Sequence, residues 1–498
     1  MPMAPTNNIL TPPPISPLEL PELIVHIARY LDRSELTKCV RVCRLWHRSL
    51  LLFIWRDIRI IADSSSARYP SLALLLKNAP FIKRLTIYGF ILRTHTQIHL
   101  PALETLRLTL HQKAGRPNIP GAGEISRETI MIRHHPSITN LILSSLSIHD
   151  NMDFWKAVRD SRSLDSLHFS YAIVGLELAD IFWQTCTRLE FLCIAFAEVP
   201  DIPSFATHSF SRIQHLVLSW VRGGLSPERQ LELMVQCPQL QRLTWRGMHD
   251  QLPLNALCDK AAQGVWPKLE ELNLEDTQIR DEDLSVLLTS INRLTVLQAN
   301  STGFALLSFE ALSKHFSTLV YLDIENCPKA SSPMVHAIMV SCPSLIKMRA
   351  PMICGTDVIQ GDGKSELGQP WVCAKLKELS LCLDLGGLDS QMDILQRLGD
   401  LKQLENLNIS TRKQLSGEYS GRSLQFSLEK GIDSLRTLRR LSVFEFDGVD
   451  QDMGESEILW VMEHWKNLQI IRGRLNRDLM RHYELMAILK TRQIDLED

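Results

Sequence analysis

The chain has 498 residues, enough for two or three ordinary domains or for one repeat array that adds core with every unit. Hydrophobic residues make up 45% of the chain and charged residues 22%, and the formal net charge is -2, as in a folded soluble protein. Because this charge balance is close to neutral, it argues against a nucleic acid or an acidic membrane surface as the main partner.

The cysteines and the N-terminal segment bear on the compartment. The eleven cysteines include no C-x-x-C pair and no histidine cluster at metal spacing, so the sequence predicts neither a disulfide framework nor a metal site, and it indicates no cofactor. Residues 1–16 are rich in proline and lack a basic n-region and an apolar h-region, which predicts a disordered tail rather than a secretory signal. No apolar run reaches the roughly 18 residues that span a bilayer. We therefore expect a cytoplasmic or nuclear protein.

The pattern of residues 17–60 predicts a small module of three helices. "LPELIVHIARYL", from residue 20, carries apolar residues at helical spacing, and "DRSEL" then offers Ser34 as the cap of a short second helix. The third helix, "KCVRVCRLWHRSLLLFIW" from residue 38, is apolar on more than one face, so it requires cover from the rest of the chain or from a partner. Residues 61–80 are expected to form a linker or an N-terminal cap.

This module resembles an F-box. The resemblance is carried by the Leu-Pro opening, apolar residues at four-residue intervals, the Val-Cys-Arg-x-Trp phrase and a distal tryptophan. It implies docking on a Skp-type adaptor, and through that adaptor on the cullin and RING subunits of an SCF ubiquitin ligase. By motif position, the adaptor-binding residues are Leu20, Pro21, Leu23, Ile27, Leu31, Leu36, Val42, Trp46 and Trp55. We expect Val42 and Trp46 to serve the module's core and adaptor side, and residues 53–55 to lie toward the next domain.

One phrase, L-x-x-L-x-L with substitutions, recurs between residues 81 and 476. Such a period predicts a leucine-rich-repeat solenoid of the α/β kind, a horseshoe in which each phrase is a short strand and the intervening residues return along the outside. The array has about fifteen irregular repeats, and residues 477–498 are expected to cap it with a helix. The phrases begin at residues 82, 103, 138, 164, 189, 213, 240, 269, 294, 319, 345, 376, 404, 438 and 468.

The array is irregular in two respects. The Asn or Cys that usually stands eight residues after the first leucine is clear only at Cys327. Three spacers rich in Gly, Pro and polar residues, at 111–129, 351–373 and 411–430, are predicted surface loops. Two phrases, "QPWVCAKLKELSL" and "ILWVMEHWKNLQIIRGRLN", resemble those of fungal F-box proteins with C-terminal leucine-rich repeats.

Known catalytic motifs are missing from the sequence. It contains no GxxxxGK[ST], GxGxxG, HExxH or GxSxG, which favours a protein without its own catalytic site.

The alternative to catalysis is recognition of a protein client. In a strand, alternate residues point to opposite faces, so the third, fifth and seventh residues of each phrase face away from the leucines. These positions carry charges of both signs, and the candidate client-binding residues are Arg242, Arg246, Glu271, Glu275, Asp323 and Glu325.

Together these features favour the substrate-recognition subunit of an SCF-type ubiquitin ligase. The alternatives are a scaffold that recruits no ligase and a leucine-rich-repeat GTPase-activating protein, since a fold alone does not establish function. Neither alternative requires the Leu-Pro opening or the Val-Cys-Arg-x-Trp phrase.

Overall fold

In the computed structural model, residues 21–56 form three short helices. They are α1 (Pro21–Ala28), α2 (Arg33–Cys39) and α3 (Arg44–Arg56). Helix α2 begins at a capping box, in which the Glu35 N–H donates to Asp32 Oδ1 at 2.8 Å and the Asp32 N–H donates to Glu35 Oε2 at 2.8 Å. The cap is therefore Asp32 and not the predicted Ser34, because the reciprocal pair satisfies two backbone donors at once.

The chain divides into two compact units, Met1–Pro203 (unit 1) and Ser204–Asp498 (unit 2). The predicted disordered tail lies outside the described residues, and so do most of the spacers 111–129 and 411–430. Within the described part of the chain, no helix has the length and apolar character needed to cross a membrane. The structure describes residues 20–61, 70–89, 91–92, 94–110, 125–145, 151–204, 209–247, 253–359, 369–385, 391–410, 424–447, 449 and 451–497.

Beyond the three helices, unit 1 alternates parallel strands with short helices. Its main sheet follows the order β1 to β6, with every neighbouring pair parallel. Its elements are β1 (Asp57–Ile61), α4 (Leu72–Asn78), β2 (Arg84–Gly89), β3 (Thr105–Leu110), α5 (Arg127–His134), β4 (Asn140–Ser144), α6 (Met152–Asp160), β5 (Ser166–Ser170), α7 (Ala179–Cys186), β6 (Phe191–Ala195) and β7 (Glu198–Val199).

Unit 2 continues the same alternation, again with parallel pairing between successive long strands. Its strands are β8 (His215–Ser219), β9 (Arg222–Gly223), β10 (Arg242–Arg246), β11 (Glu271–Asn273), β12 (Val296–Gln298), β13 (Tyr321–Asp323), β14 (Lys347–Cys354), β15 (Glu378–Asp384), β16 (Asn406–Asn408), β17 (Val443–Glu445), β18 (Ile470–Arg472) and β19 (Asp495–Glu497). Its helices are α8 (Pro227–Val235), α9 (Leu254–Ala262), α10 (Asp281–Ser290), α11 (Leu306–Leu312), α12 (Ser332–Ser341), α13 (Gly355–Ile359), α14 (Met392–Gly399), α15 (Glu455–His464) and α16 (Leu479–Lys490).

One buried apolar side chain per strand forms a ladder in each unit. Burying each such side chain stabilises the fold by about 1.5–3 kcal/mol, and the strand period of two turns its neighbours to the opposite face. In unit 1 the ladder is Leu85, Leu106, Leu141, Leu167 and Leu192, which pair in register. In unit 2 it is Leu216, Leu243, Leu272, Leu297, Leu322, Met348, Leu379, Leu407, Phe444 and Ile471. The predicted α/β leucine-rich-repeat fold is therefore confirmed.

The predicted phrases locate the strands closely, with one error. In fourteen of the fifteen phrases, a strand starts at the third residue of the phrase. The phrase placed at residue 438 is shifted by three, because Val443 is the residue that pairs with Asn406 and Phe444 continues the ladder. Leu438 instead lies, buried, at the end of the 3-10 helix Ile432–Thr437.

Three segments differ from the prediction. Strand β1 (Asp57–Ile61) starts inside the segment assigned to the helical module and pairs with β2. The spacer 351–373, predicted as a loop, begins with the end of β14 and with α13, and β14 shifts register between Arg349 and Met352 around Pro351. The C-terminal helix α16 is followed by a further parallel strand, β19.

Threonines replace the expected Asn or Cys in two repeats. Thr277 Oγ1 donates to the Leu274 carbonyl and Thr302 Oγ1 to the Ala299 carbonyl, both at 2.7 Å, and Cys327 Sγ donates to the Ala299 carbonyl at 3.0 Å. All three side chains are buried. A hydroxyl thus closes the turn where the sequence pattern indicated a missing partner.

Gly399 offers a test of the packing in unit 2. A Cβ there would lie 2.2 Å from the Ser434 carbonyl oxygen, which belongs to the backbone and cannot rotate away. We expect Gly399→Ala to destabilise unit 2 by about 1–3 kcal/mol, seen as a lower urea midpoint by circular dichroism. Gly264→Ala is the control, since a Cβ at Gly264 meets no atom within 4 Å and adds only the cost of its φ of +73°. Equal midpoints for the two variants would contradict the close approach.

Candidate functional site

The N-terminal helices have a small core of their own. Ile24, Ala28, Leu36 and Leu50 are buried together. Partly buried side chains pack around them, namely Leu31, Cys39, Val40, Leu45, Trp46, Phe53 and Ile54. The three helices therefore hold one another through α1 and α2 packed on α3, and their remaining apolar residues are available for other contacts.

The predicted adaptor-binding residues fall into two groups by exposure. Leu36 is buried, and Ile27, Leu31, Trp46 and Trp55 are half-buried, so these positions mainly support the module. Leu20 and Leu23 are each 40% exposed and Val42 is 66% exposed, and Pro21 is exposed beside them in the sequence. Exposed apolar side chains on so small a module indicate a surface for a partner.

Two further exposed apolar residues escaped the motif comparison. Tyr30 is 76% exposed and Leu52 is 37% exposed. Tyr30 directly precedes the predicted position Leu31, and Leu52 lies among the apolar residues of α3, so only the packing of the helices reveals that they face outward.

The prediction for the end of α3 is wrong in part. Phe53 and Ile54 were expected to lie toward the first repeats, whereas both pack against the core of the helical module. Val42, expected to serve the core and the adaptor side, is not among the residues that pack on the core and is one of the most exposed apolar residues of the module. The reason is that α3 starts only at Arg44, so Val42 lies before the helix and does not share its faces.

Helix α3 leads directly into the first strand. It ends at Arg56, β1 begins at Asp57, and the Lys83 N–H donates to the Arg56 carbonyl at 3.0 Å. The helical module is thus joined to the repeats of unit 1 without an intervening linker.

The second candidate site is the open face of unit 2. We use this name for the face of its sheet that is formed by the strand residues alternating with the buried ladder. The register places Arg242 beside Glu271, and Tyr321 beside Lys347. Most of these side chains are partly exposed. The six predicted client-binding residues therefore share one face, on or just after three strands, β10, β11 and β13.

Cross-strand ion pairs organise this face. Arg242 Nε lies 2.9 Å from Glu271 Oε1, and Arg246 Nη2 lies 2.9 Å from Asp276 Oδ2 and 3.3 Å from Glu275 Oε2. Arg242 and Arg246 are therefore each paired with acidic residues of the next repeat. Partly exposed pairs of this kind contribute at most about 1 kcal/mol each, so they set orientation more than stability.

Asp323 differs from the exposed position that the sequence pattern assigned to it. Its side chain is 6% exposed and accepts hydrogen bonds from the Glu325 N–H and the Tyr321 hydroxyl, both at 3.2 Å. Burial raises the pKa of the Asp323 carboxyl above its ordinary value, and burial also raises that of Glu275. Asp323 therefore positions Tyr321 and Glu325 and has little surface of its own for a client.

A small cavity of about 190 Å³ lies on the same face, beside the register shift of β14. Ser380, Asn408 and Ser410 line it, with Glu325 and Glu445 among its acidic residues. A space of this volume is below the range of about 300–1,000 Å³ typical of small-molecule sites, and it has room for about one amino-acid side chain.

Among the described residues, no group of three or more His, Cys, Asp or Glu side chains is arranged to hold a metal ion.

Comparison with protein-family models gives a match at residues 21–61, to the family described as F-box-like. Residues 21–61 form an F-box-like domain. The match spans α1 to α3 and strand β1, so the domain includes the first strand of the unit 1 sheet. A comparison with curated proteins gave no match.

Solved structures similar to this chain include two bacterial proteins. An internalin from Listeria monocytogenes is 14% identical, with a TM-score of 0.43, over 74% of this chain and 88% of its own. A leucine-rich-repeat protein from Leptospira interrogans is 15% identical, with a TM-score of 0.42, over 87% of this chain and 100% of its own. The fold of the present chain is established by its own strand register and buried ladders. An F-box-like domain joined to leucine-rich repeats indicates a role in protein–protein interaction.

Proposed function

We propose that this protein is the substrate-recognition subunit of an SCF-type ubiquitin ligase. The supporting observation is the F-box-like domain, which has a complete core and still exposes Leu20, Leu23 and Val42. A Skp-type adaptor covers these side chains and connects the chain to a cullin and a RING subunit. The protein works in the cytoplasm or the nucleus.

The mechanism is tethering, without catalysis by this chain. The F-box-like domain holds the ligase and the repeats hold a protein client. Holding both on one molecule raises their effective concentration to about the millimolar range for a short connection, which promotes ubiquitin transfer by the other subunits. The direct passage from α3 to β1 favours this arrangement, because β1 is at once the last element of the F-box-like domain and a strand of the unit 1 sheet.

The client contacts the open face of unit 2. Its proposed contacts are Arg242, Arg246, Glu271, Glu275 and Glu325. Asp323 contributes indirectly, by accepting hydrogen bonds that position Tyr321 and Glu325. Since the cations and anions pair across strands, the client meets an ordered pattern of alternating charge that favours one orientation.

Adaptor binding is tested by removing exposed apolar side chains. We expect Leu23→Ala/Val42→Ala to weaken binding to a purified Skp-type adaptor about 30- to 1,000-fold, because truncating buried interface anchors costs about 1–2 kcal/mol each. Isothermal titration calorimetry measures the affinity. The matched control is Leu74→Ala/Leu76→Ala, which removes two exposed leucines of α4 in the same unit.

The control should bind the adaptor as the wild type does. If the wild-type chain binds no adaptor, the protein is a scaffold independent of the ligase. If both double variants bind like the wild type, the exposed residues of the F-box-like domain do not form the docking surface.

Client recognition is tested by exchanging one ion pair. Arg242→Glu/Glu271→Arg keeps an ion pair at this position and reverses its direction on the face. We expect the exchange to reduce several-fold the proteins that co-purify with the chain under proteasome inhibition, measured by quantitative mass spectrometry, while the co-purified adaptor stays constant. Unchanged co-purification would show that the pair is structural and that the client binds elsewhere.

A further inference from the structure

Two arginines on the sheet of unit 1 lack the partners that arginines on the sheet of unit 2 have. Arg59 in β1 and Arg107 in β3 are both exposed. Neither guanidinium group has a hydrogen bond or ion pair with any of the residues that the structure describes. By contrast, Arg242 and Arg246 on the unit 2 sheet are each paired with an acid on the next repeat.

The register places these two arginines in one row. Thr86 in β2 pairs with Arg59 on one side and with Arg107 on the other, so all three side chains point to the same face. Neighbouring strands lie about 4.8 Å apart, which puts the Cα atoms of the two arginines about 10 Å apart. Two exposed guanidinium groups, of Arg59 and Arg107, therefore flank the hydroxyl of Thr86.

Among the described strand residues, the surrounding face offers no unpaired anion. Among the alternating residues of β1 to β6, all of which are described, Asp57 is the only acid. The Arg84 guanidinium takes both oxygens of that carboxylate, with Nη2 at 2.6 Å from Oδ2. The rest of the row and its neighbours are mainly hydroxyl-bearing or apolar, such as Thr105, Thr109 and Ser144.

The histidine on the same row does not add to the positive charge at neutral pH. His168 follows Arg107 and Ile142 in the register. Burial, and then the nearby Arg107, lower the pKa of His168 below its ordinary value. The excess positive charge is therefore carried by Arg59 and Arg107.

We infer that the sheet face of unit 1 binds an acidic peptide segment of the client, with one carboxylate at Arg59 and a second at Arg107. This rests on the proposed function, whose client it specifies. In a polyproline II conformation, with three residues per turn and a rise of about 3.1 Å per residue, side chains three residues apart lie on the same side and about 9 Å apart, close to the spacing of the two arginines. An Asp or Glu at every third position of such a segment therefore fits both. Carboxylates and guanidinium groups form charge-assisted, often bidentate hydrogen bonds. The spacing favours two separate carboxylates over a single phosphate group.

The test uses the purified full-length chain and fluorescein-labelled peptides. The probe is a proline-rich peptide of about ten residues, which favours polyproline II, with glutamate at every third position, a spacing of about 9 Å on one side. A second peptide has glutamine at those positions, and a third has a single phosphoserine and glutamines. Fluorescence anisotropy at low ionic strength measures the affinities, because salt screens such contacts.

We expect the glutamate peptide to bind more tightly than the other two, and Arg59→Gln/Arg107→Gln to weaken it about tenfold or more, equivalent to about 1.4 kcal/mol. Arg472→Gln is the matched control. Arg472 lies on strand β18 of the same sheet type, its charge is already paired with Glu497 at 2.7 Å, and it is not among the proposed client contacts, so peptide binding by this variant should equal that of the wild type. Circular dichroism shows whether each variant is folded.

Three results would overturn the inference: no preference for glutamate over glutamine, tighter binding of the phosphoserine peptide, or equal loss in Arg472→Gln and the double variant. Adaptor binding is measured on the same samples. Failure of the peptide result with adaptor binding intact would reject this inference alone, whereas an absence of adaptor binding by the wild type would reject the proposed ligase role.

Discussion

The ladder of buried apolar side chains between successive parallel strands is the contact on which the other features depend. Leu272, for example, lies between Leu243 and Leu297, and each is fully or almost fully buried. A shift of one residue in any strand would turn its apolar side chain to solvent, so burial fixes the register of every repeat. Once the register is fixed, the alternate residues of neighbouring strands must stand beside one another. The ladder therefore determines which charged side chains stand beside one another on the opposite face of the sheet, although the ladder residues themselves are buried.

The two units use this constraint differently. In unit 2 the register brings opposite charges together, as at Arg242 and Glu271, and the open face of unit 2 carries cross-strand ion pairs. In unit 1 it sets Arg59 and Arg107 on either side of Thr86, and neither guanidinium group is paired with an acid in the part of the chain that the structure describes. A paired face loses part of its own stabilisation when a charged client displaces a partner, whereas an unpaired cation has only its hydration to lose. Unpaired arginines are therefore the better contacts for an acidic segment.

The sequence predicted the repeats well because the leucine spacing and the strand period express the same physical requirement. The prediction failed at residue 438. Phe444 occupies the buried ladder position of that strand, and Leu438, which lies before the strand, was mistaken for the first leucine of the phrase. The sequence also failed to predict which side chains are buried, because periodicity identifies the faces of a helix or strand but not what packs on them. The exposure of Val42 and the burial of Asp323 both depend on neighbours that are distant in sequence or outside the regular element. Pairing of charges across repeats was likewise invisible until the register was known.

The central claim is that the F-box-like domain docks on a Skp-type adaptor, and the cysteines provide a direct measurement. Cys43 is exposed next to Val42, Cys354 in unit 2 is half-buried, and buried thiols such as Cys342 and Cys373 are unreactive because burial raises their pKa to about 12. Mass spectrometry gives the alkylation rate of Cys43 for the chain alone and with the adaptor, with Cys354 as the internal reference. The account predicts that the adaptor slows Cys43 several-fold and leaves Cys354 unchanged. An adaptor complex in which Cys43 reacts as fast as in the free chain would contradict it.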